Sequence, residues 1–523
     1  MDGECILFSS KTQAVYVKIL SKNLTKNLTE LKKLLPSEDI LSYVFDTKDG
    51  VECTLLYADG VVDKHLLGDL IARPLSRLCF KNEGGMSALN AENIEKHLLF
   101  PELKKAEKLT DCTKEVLDGN SLLLIDGLDV GFIVGAKLLP SRAVVEPPSD
   151  VAVKGPREGF VEDVKTNMGL IRKRLKSPDL RFEMLKVGKR SDTSIALCWL
   201  EGISSEEVIH EVKEQIEKIQ IDNIPDSSYI AAFISPRKHS IFRTIGTTEK
   251  PDVFTAKIAE GRVGLLVDGS PIALTVPYVL NEDLQSSEDY FISPFMATTF
   301  RFLRFISVLV AILLPAFYVS AQLFKVQLFP LGLMLTIASS VRDLPLSPSL
   351  EMFVVLLLLE ILKEASIRMP KYVGMSLSVV GALVLGDTAV SAGFLSTPAI
   401  IIVAFSGICL YTVPNFVETG SILRWLFLLV GGSVGPFGIV LLLAFVLYYL
   451  LSTDAFGAPL LSPFSPLTPQ DLRDTLVKYD MLSLKTRPRV FGSKNHTRLR
   501  SFVQDESKKE GGMYELNTKR SKN

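Results

Sequence analysis

The sequence is poor in the residues that build metal sites and disulfide frameworks. Its 523 residues include six cysteines and five histidines, and no two cysteines form a Cys-x-x-Cys pair. Structural zinc is held by closely spaced cysteine and histidine ligands, so we expect neither a metal site nor a bound cofactor. We interpret the cysteines as small buried residues of a chain that works in a reducing compartment.

An excess of charge and a secretion signal are also missing. Lysine and arginine total 58 against 59 acidic residues, so no basic surplus points to nucleic acid as a partner. The opening residues, MDGECILFSS, contain neither a basic start nor a long apolar core, and we expect no cleavable signal peptide. No catalytic triad, Cys/His pair or nucleotide-binding loop stands out, which leaves an enzyme as the least favoured class.

A long apolar region is what the sequence does contain. From about residue 302 to 452 the chain is almost continuously apolar, and about 300 residues of mixed charge precede it. A membrane-spanning helix needs roughly 20 apolar residues, so the predicted fold is an α/β soluble head of two α/β subdomains followed by an all-α polytopic transmembrane domain. The predicted boundaries are an N-terminal segment at 1–26, α/β subdomains at 27–148 and 149–298, the transmembrane domain at 299–453, and a Pro-rich and then basic tail at 454–523.

Alternating strand and helix patterns predict the α/β character of the head. Short apolar runs end in turn signals such as Asp59-Gly60 and Asp126-Gly127, and segments with helical spacing lie between them. Pro147-Pro148 marks the predicted boundary between the subdomains, and we expect a mixed sheet in the second of them. The predicted strands are Leu41–Phe45, Cys53–Ala58, Ser121–Ile125, Gly131–Ala136, Val151–Val153, Phe182–Val187, Thr193–Leu200, Tyr229–Ile234 and Val263–Val267.

The apolar region divides into candidate membrane spans by length. Phe302–Gln322 is the first full-length span, whereas Val326–Ser340 is shorter than a span needs. Val373–Gly393 and Pro398–Val413 are two further spans. Ile422–Leu451 contains a glycine- and proline-rich interruption, where the freed backbone groups need protein or water as partners. The residues of this predicted helix break are Gly435, Pro436 and Gly438.

The segment Leu350–Ala365 is apolar enough to insert into a membrane, yet it carries Glu351, Glu360 and Glu364. Carboxylates at membrane depth are costly unless they are paired or hydrated. This helix either lines a water-filled path or a contact between subunits, or its charged end reaches the membrane–water interface. The first interpretation is favoured because intramembrane acids mark functional sites by default. Asp387 either makes a polar contact within the membrane or marks the end of its span.

The distribution of basic residues predicts the orientation of the chain in the membrane. Arg301 and Arg304 stand at the start of the first span, and six further lysines and arginines lie between residues 485 and 500. Because basic residues are enriched on the cytoplasmic side, we expect both the head and the tail in the cytoplasm, with an even number of crossings between them.

Short motifs along the chain resemble those of one protein family. They are Glu146-Pro147-Pro148, Gly155-Pro156-Arg157-Glu158-Gly159-Phe160, Glu260-Gly261-Arg262-Val263, Val267-Asp268-Gly269-Ser270-Pro271, Gln285-Ser286-Ser287-Glu288-Asp289-Tyr290, Leu314-Pro315-Ala316, Val380-Gly381-Ala382, Pro414-Asn415 and Phe456-Gly457-Ala458-Pro459. In their order and spacing these motifs are similar to those of the A subunit of spore germinant receptors, the GerA family of spore-forming bacteria. The similarity runs from about residue 145 to 488.

The resemblance implies an integral membrane subunit of a nutrient receptor in the inner membrane of the spore. The implied partners are a transporter-like B subunit that holds the nutrient and a C subunit that is a lipoprotein. The resemblance also implies a homo-oligomer, embedded in membrane lipid, that conducts monovalent cations after germinant binding. Neither an enzymatic activity nor a nucleic-acid partner is expected.

We therefore interpret the helix at Leu350–Ala365 as the lining of an ion path. Rings of apolar side chains gate channels by dewetting, and rings of glutamate favour cations. The candidate gate residues are Val354, Val355 and Leu358, and the candidate cation-attracting residues are Glu351, Glu360 and Glu364. The main alternative is a non-conducting oligomeric scaffold that transmits the signal between receptor subunits. A solute transporter is less favoured, because we find no inverted repeats or matched broken helices.

Overall fold

The computed structural model of the chain describes residues 18–79, 90–98, 100–138, 154–342, 344–368, 381 and 388–498. The chain forms two compact units. The first comprises Met1–Ser235, Ile245–Pro277 and Phe491–Asn495, and the second comprises Pro236–Thr244, Tyr278–Val490 and His496–Asn523. The predicted boundary at Pro147-Pro148, the predicted strand Val151–Val153 and most of the predicted span Val373–Gly393 lie outside the described residues.

The first unit contains two five-stranded sheets, and residues 18–138 form the first module. Its elements are α1 Leu24–Leu34, β1 Ile40–Asp46, β2 Glu52–Ala58, α2 Lys64–Leu67, a π-helical turn Gly68–Ala72, α3 Arg73–Ser76, α4 Ala91–His97, β3 Leu103–Ala106, α5 Leu109–Leu117, β4 Ser121–Ile125 and β5 Gly131–Val134. The strand order is β1-β2-β4-β5-β3, with every pair antiparallel. Hairpins at the predicted turns join β1 to β2 and β4 to β5, and short turns of this kind favour antiparallel pairing.

Residues 154–277 form the second module. Its elements are α6 Val164–Arg174, β6 Leu180–Val187, β7 Thr193–Leu200, α7 Glu206–Glu217, α8 Ser227–Ile234, β8 Gly246–Thr248, α9 Pro251–Ala259, β9 Val263–Val267 and β10 Ala273–Val276. The strand order is β6-β7-β9-β10-β8, again antiparallel throughout. The expectation of a mixed sheet is therefore wrong. Hairpins join β6 to β7 and β9 to β10, and the longer helical connection from β7 returns the chain as an antiparallel neighbour, β9.

Apolar side chains cover both faces of the first sheet. Leu55, Ile71 and Phe132 belong to the core on one face, and Leu31 and Cys112 belong to the core on the other. As a result all five residues of β4 are buried. Burial on both faces explains why this strand reads as a continuous apolar run and not as an alternating pattern.

The predicted strand Tyr229–Ile234 is a helix in the structure. α8 begins after Asp226, whose carboxylate accepts a hydrogen bond from the Ser228 amide. Its buried residues include Ile230 and Ile234, four positions apart, which is the spacing of one helix face. The strand prediction is wrong because capping by Asp226 and packing of this face outweigh the β propensity of a short apolar run.

The two modules repeat the same local contacts. Asn27 donates from Nδ2 to the Ser21 carbonyl at 2.6 Å, and Asn167 donates to the Val161 carbonyl at the same distance. Asp126 accepts from the first amide of α1 at 3.1 Å, as Asp268 does from the first amide of α6 at 3.2 Å. With the shared strand order, these contacts identify an internal repeat that the sequence analysis did not predict.

The second unit is mostly helical. Its helices are α10 Pro294–Phe324, α11 Leu331–Val341, α12 Pro348–Arg368, α13 Ala389–Ser391, α14 Thr397–Tyr411, α15 Val417–Ser433 and α16 Pro436–Leu451, followed by the short strands β11 Asp454–Ala455 and β12 Ala458–Pro459. The predicted first span, Phe302–Gln322, lies within α10. The predicted spans at Leu350–Ala365 and Pro398–Val413 correspond to α12 and α14.

By length and composition, one helix of the described residues can cross a membrane by itself, namely α10 with 31 residues. The segments Thr397–Tyr411 and Pro414–Ser433 qualify only as a pair, with a bend of 113° between them. α11 and α16 are apolar but shorter. The chain thus has a helical C-terminal region with at least one apolar span, and the polytopic arrangement stays a prediction.

Candidate functional site

The helix α12 has one exposed face and one face that packs against the rest of the second unit. Leu357, Ile361 and Glu364 are exposed along one face, and Val354 and Leu358 are half-buried beside them. The opposite face packs into the core of the second unit through residues that include Val355, which is 8 % exposed. Among the candidate gate residues, Val354 and Leu358 therefore adjoin the exposed face, whereas Val355 faces inward.

The Glu360 carboxylate contacts two positively charged side chains. It accepts a hydrogen bond from Arg424 Nη2 at 2.7 Å and forms an ion pair with Lys363 one turn away. The Arg424 side chain is almost fully buried and also donates to Ser406 Oγ at 3.2 Å. The Ser406 hydroxyl in turn donates to the Ala311 carbonyl at 2.8 Å. This chain of contacts joins α12 to α15, α14 and α10.

Glu351 is buried at the start of α14. Its carboxylate accepts a hydrogen bond from the backbone amide of Ser396, the residue that caps this helix. No lysine, arginine or histidine of the described chain forms an ion pair with Glu351. The amide and the positive end of the α14 dipole compensate its charge instead.

The remaining candidate acids differ in their surroundings. Glu364 is exposed and pairs with Arg368 one helical turn later, at 2.6 Å. Exposed pairs of this kind contribute little to stability, so the Glu364 carboxylate is free to interact with other charges. Asp387 lies outside the described residues.

The helix break separates α15 from α16. Gly435 lies between them with a φ of +81°, and Pro436 is the first residue of α16. A Cβ atom on Gly435 would lie 2.9 Å from the Phe324 ring, and one on Gly438 would lie 2.7 Å from the Val434 Cβ. Glycine is favoured at position 435 because its positive φ strains other residues, and both sites lack room for a side chain.

A buried ion-pair network surrounds the start of α10. Arg301 donates to Asp289 and Asp474 at 3.0 Å, and Arg304 donates to both carboxylate oxygens of Asp289 at 2.9 Å. Burial raises the pKa of the Asp289 carboxyl, but hydrogen bonds and charge from Arg304, with those of Arg301, hold it below its usual value. In the sequence the two arginines served only as an orientation signal, because their pairing with Asp289, 12 and 15 positions earlier, and of Arg301 with Asp474, 173 positions later, depends on how the chain folds.

The cysteines of the described chain are unpaired thiols. Burial raises the pKa of the Cys53 thiol to about 12, which keeps it protonated at neutral pH. Cys79 is exposed, so the interpretation of all six cysteines as buried is wrong for this residue. Within the described ranges, no group of three His, Cys, Asp or Glu side chains is placed to hold a metal ion.

Comparisons with known proteins agree on one family. Residues 26–490 match the family model described as Bacillus/Clostridium GerA spore germination protein. The chain is 33 % identical over 486 residues to spore germination protein KA of Bacillus subtilis (strain 168), covering 92 % of this chain and 89 % of that one. It is 32 % identical over 475 residues to spore germination protein B1 of the same organism, covering 90 % and 97 %.

One solved structure is also similar to part of the chain. It is the crystal structure of the N-terminal domain of the A subunit of the Bacillus megaterium spore germinant receptor GerK3. The match has 26 % sequence identity and a TM-score of 0.39, and it covers 51 % of this chain and 98 % of that domain.

Proposed function

We propose that this chain, which belongs to the GerA family of Bacillus/Clostridium spore germination proteins, is the A subunit of a nutrient germinant receptor. Several copies line a path for monovalent cations that opens when the germinant binds. The partners are a transporter-like B subunit, which holds the nutrient, and a lipoprotein C subunit. The complex is placed in the inner membrane of the spore, with the head and the tail of this chain on the cytoplasmic side.

The exposed face of α12 is the observation that carries this proposal. Val354, Leu357, Leu358 and Ile361 form an apolar surface that ends one turn later at Glu364. If symmetric copies bring these faces together, each position becomes a ring of identical side chains. Rings of apolar residues exclude water and ions until they widen, and a ring of glutamates attracts cations.

The three acids of α12 then have different roles. Glu364 is the cation-attracting group, because it lies on the exposed face. Glu351 and Glu360 position the helix, since the first caps α14 and the second is bound by Arg424 and Lys363. This assignment narrows the sequence-based hypothesis, in which all three acids attract cations.

A non-conducting scaffold is the second candidate function, and the surroundings of Glu360 favour it. In that cluster one carboxylate pairs with two positively charged side chains. The cluster therefore has a net positive charge, which does not attract cations from solution. In the scaffold, α12 carries movement between the receptor subunits, and another protein conducts the ions.

Substitution of the exposed face tests the channel proposal. We expect Val354→Ala and Leu358→Ala, made singly, to cause potassium release from spores before any nutrient is added. A ring of smaller side chains leaves a wider opening, which water and ions enter more readily. Each 1.4 kcal/mol removed from the barrier raises the leak about tenfold. Potassium release is measured from purified spores, and assembly of the receptor is checked by immunoblot.

Val355→Ala is the matched control, since it removes the same atoms from the inward face of the same helix. It is expected to leave the potassium leak unchanged. If spores with Val354→Ala or Leu358→Ala release no more potassium than the wild type, with the receptor present at normal amounts, the channel proposal fails and the scaffold takes its place.

A further inference from the structure

The helices α1 and α6 occupy equivalent positions in the two modules but differ in burial. α1 buries Leu24, Asn27 and Leu31 and leaves its outer face exposed. α6 buries the equivalent residues and also the outer positions Gly169 and Arg172. The outer face of α6 is covered because the first module packs against it.

Two turns of the first module make this contact. We call residues Ser37–Asp39 and Asp59-Gly60 its turn surface. Asp39 receives hydrogen bonds from Arg172 Nε at 3.0 Å and Nη2 at 2.8 Å, and both side chains are buried. At the second turn, a Cβ atom on Gly169 would lie 2.4 Å from the Gly60 carbonyl oxygen. The junction therefore depends on a buried ion pair and on a glycine-to-glycine contact.

The second module carries the same two turns. The Ser177 hydroxyl approaches the Asp179 carboxylate as the Ser37 hydroxyl approaches that of Asp39. The amide that follows the second strand bonds to the carbonyl of Asp39 at 2.7 Å in one module and to that of Asp179 at 2.9 Å in the other. Gly202 has a φ of +73°, close to the +79° of Gly60.

In the second module this turn surface is uncovered in the described chain. Asp179 is exposed and forms no ion pair among the described residues. A Cβ atom on Gly202 would meet nothing within 4 Å, whereas one on Gly60 would overlap the Lys165 carbonyl. The turn surface that packs against α6 in one module is thus available for a partner in the other.

The outer face of α1 is the complementary free surface. Thr25, Thr29 and Lys32 occupy the positions of Lys165, Gly169 and Arg172 in α6, and all three are exposed. The charges of the two surfaces are also complementary. The exposed lysines of α1 are Lys26, Lys32 and Lys33. The turn surface of the second module carries the exposed acids Asp179 and Glu201, of which Glu201 also lies 3.9 Å from Arg181.

We propose that the turn surface of the second module, residues 177–179 and 201–202, docks onto the outer face of α1 in another copy of this chain. The contact repeats between copies the junction that already joins the two modules within one copy. Lys32 then faces Asp179 as Arg172 faces Asp39. Because one surface is a pair of turns and the other a helix face, the interface is heterologous, and successive copies form a ring where the rotation between them closes.

Two differences make the contact between copies looser than the junction within one. Thr29 replaces Gly169, so the helix and the turn cannot approach as closely. Pro178 replaces Glu38, whose amide donates to the Phe182 carbonyl at 3.2 Å, and proline has no N–H to donate. A looser contact suits an interface between subunits that assemble after folding.

The inference rests on the proposed function, in which copies of this chain surround a path, and it adds the head surfaces that hold them together. Its test uses the full-length chain in spores with Cys79→Ser and Cys5→Ser, which remove the one exposed thiol among the described cysteines and the thiol that lies outside the described residues. Thr29→Cys combined with Gly202→Cys should give dimers and larger species on oxidation, and a reducing agent should collapse them to the monomer. Either cysteine substitution alone should give no ladder.

Charge reversal provides a second measurement. Lys32→Glu and Asp179→Lys should each weaken the oxidation ladder, and the two together should restore it. Lys218→Glu, at an exposed charge directly after the C-terminal end of α7, is the control and should have no effect. An amine-reactive crosslinker that yields oligomers while the paired thiols yield none would overturn this interface and leave the channel proposal standing. Monomers under every reagent, with germination intact, would overturn both.

Discussion

Asp39→Ala is expected to destabilise the head by about 3–5 kcal/mol. The substitution leaves the buried Arg172 guanidinium without its carboxylate, with the carbonyls of Ser177 and Leu180 and, at 3.5 Å, the Ser37 hydroxyl as the remaining acceptors. A buried cation without a counter-charge is far more costly than the loss of one hydrogen bond. Thermal unfolding of the purified full-length chain, with immunoblots of spores for its abundance, measures the effect.

The internal repeat supplies a matched control. Asp179→Ala removes the equivalent carboxylate of the second module, which is exposed and forms no ion pair in the described chain. We expect a change within about 0.5 kcal/mol in the unfolding free energy of the single chain, as is usual for surface substitutions. Equal effects of the two substitutions would contradict the assignment of the Asp39–Arg172 pair as the junction between the modules.

Arg424→Ala is the second substitution with a large expected effect. It removes a buried guanidinium that binds Glu360 on α12 and Ser406 on α14. Because Glu360 keeps its pair with Lys363, we expect a loss of about 1–3 kcal/mol in stability, as for a lost hydrogen bond to a charged group, and, in spores, less assembled receptor and weaker germination. Arg424→Lys keeps the charge without the planar fork that makes two directed contacts, and its effect should be intermediate.

The exposed pair on the same helix is the control for Arg424. Glu364→Gln should leave receptor abundance near wild type, because its pair with Arg368 is exposed, while it slows potassium release during germination. These two outcomes would separate the positioning role proposed for Glu360 from the conducting role proposed for Glu364. Normal assembly of the Arg424→Ala receptor would contradict the positioning role of Glu360, and unchanged potassium release in Glu364→Gln would contradict the conducting role of Glu364.

Local patterns in the sequence were sufficient for most of the strands. β1, β2 and β4 lie where apolar runs precede turn signals such as Asp59-Gly60 and Asp126-Gly127. The turns require glycine with a positive φ, and this requirement is visible in the sequence. α8 was mistaken for a strand because the burial of Ile230 and Ile234 depends on packing that a short apolar run does not reveal.

The internal repeat was missed because its signal is sparse. The residues that the modules share include Asn27 with Asn167, a Ser-x-Asp turn before the first strand, and Asp-Gly at 126 and 268. They are spaced about 140 residues apart, and most positions between them differ. A search for these few capping and turn residues at offsets close to 140 would have found the repeat, since they satisfy backbone groups that both copies must satisfy.

The sequence by itself determined the α/β head, the apolar helical region and the family, because apolar periodicity, turn residues and short motifs are local properties of the chain. The tertiary structure decided which face of α12 is exposed and which acids are compensated. Glu360 and Arg424 are 64 positions apart, and Asp39 and Arg172 are 133 apart. Ion pairing and burial depend on which helices pack together, so chemically similar residues of one segment acquire different roles only in the folded chain.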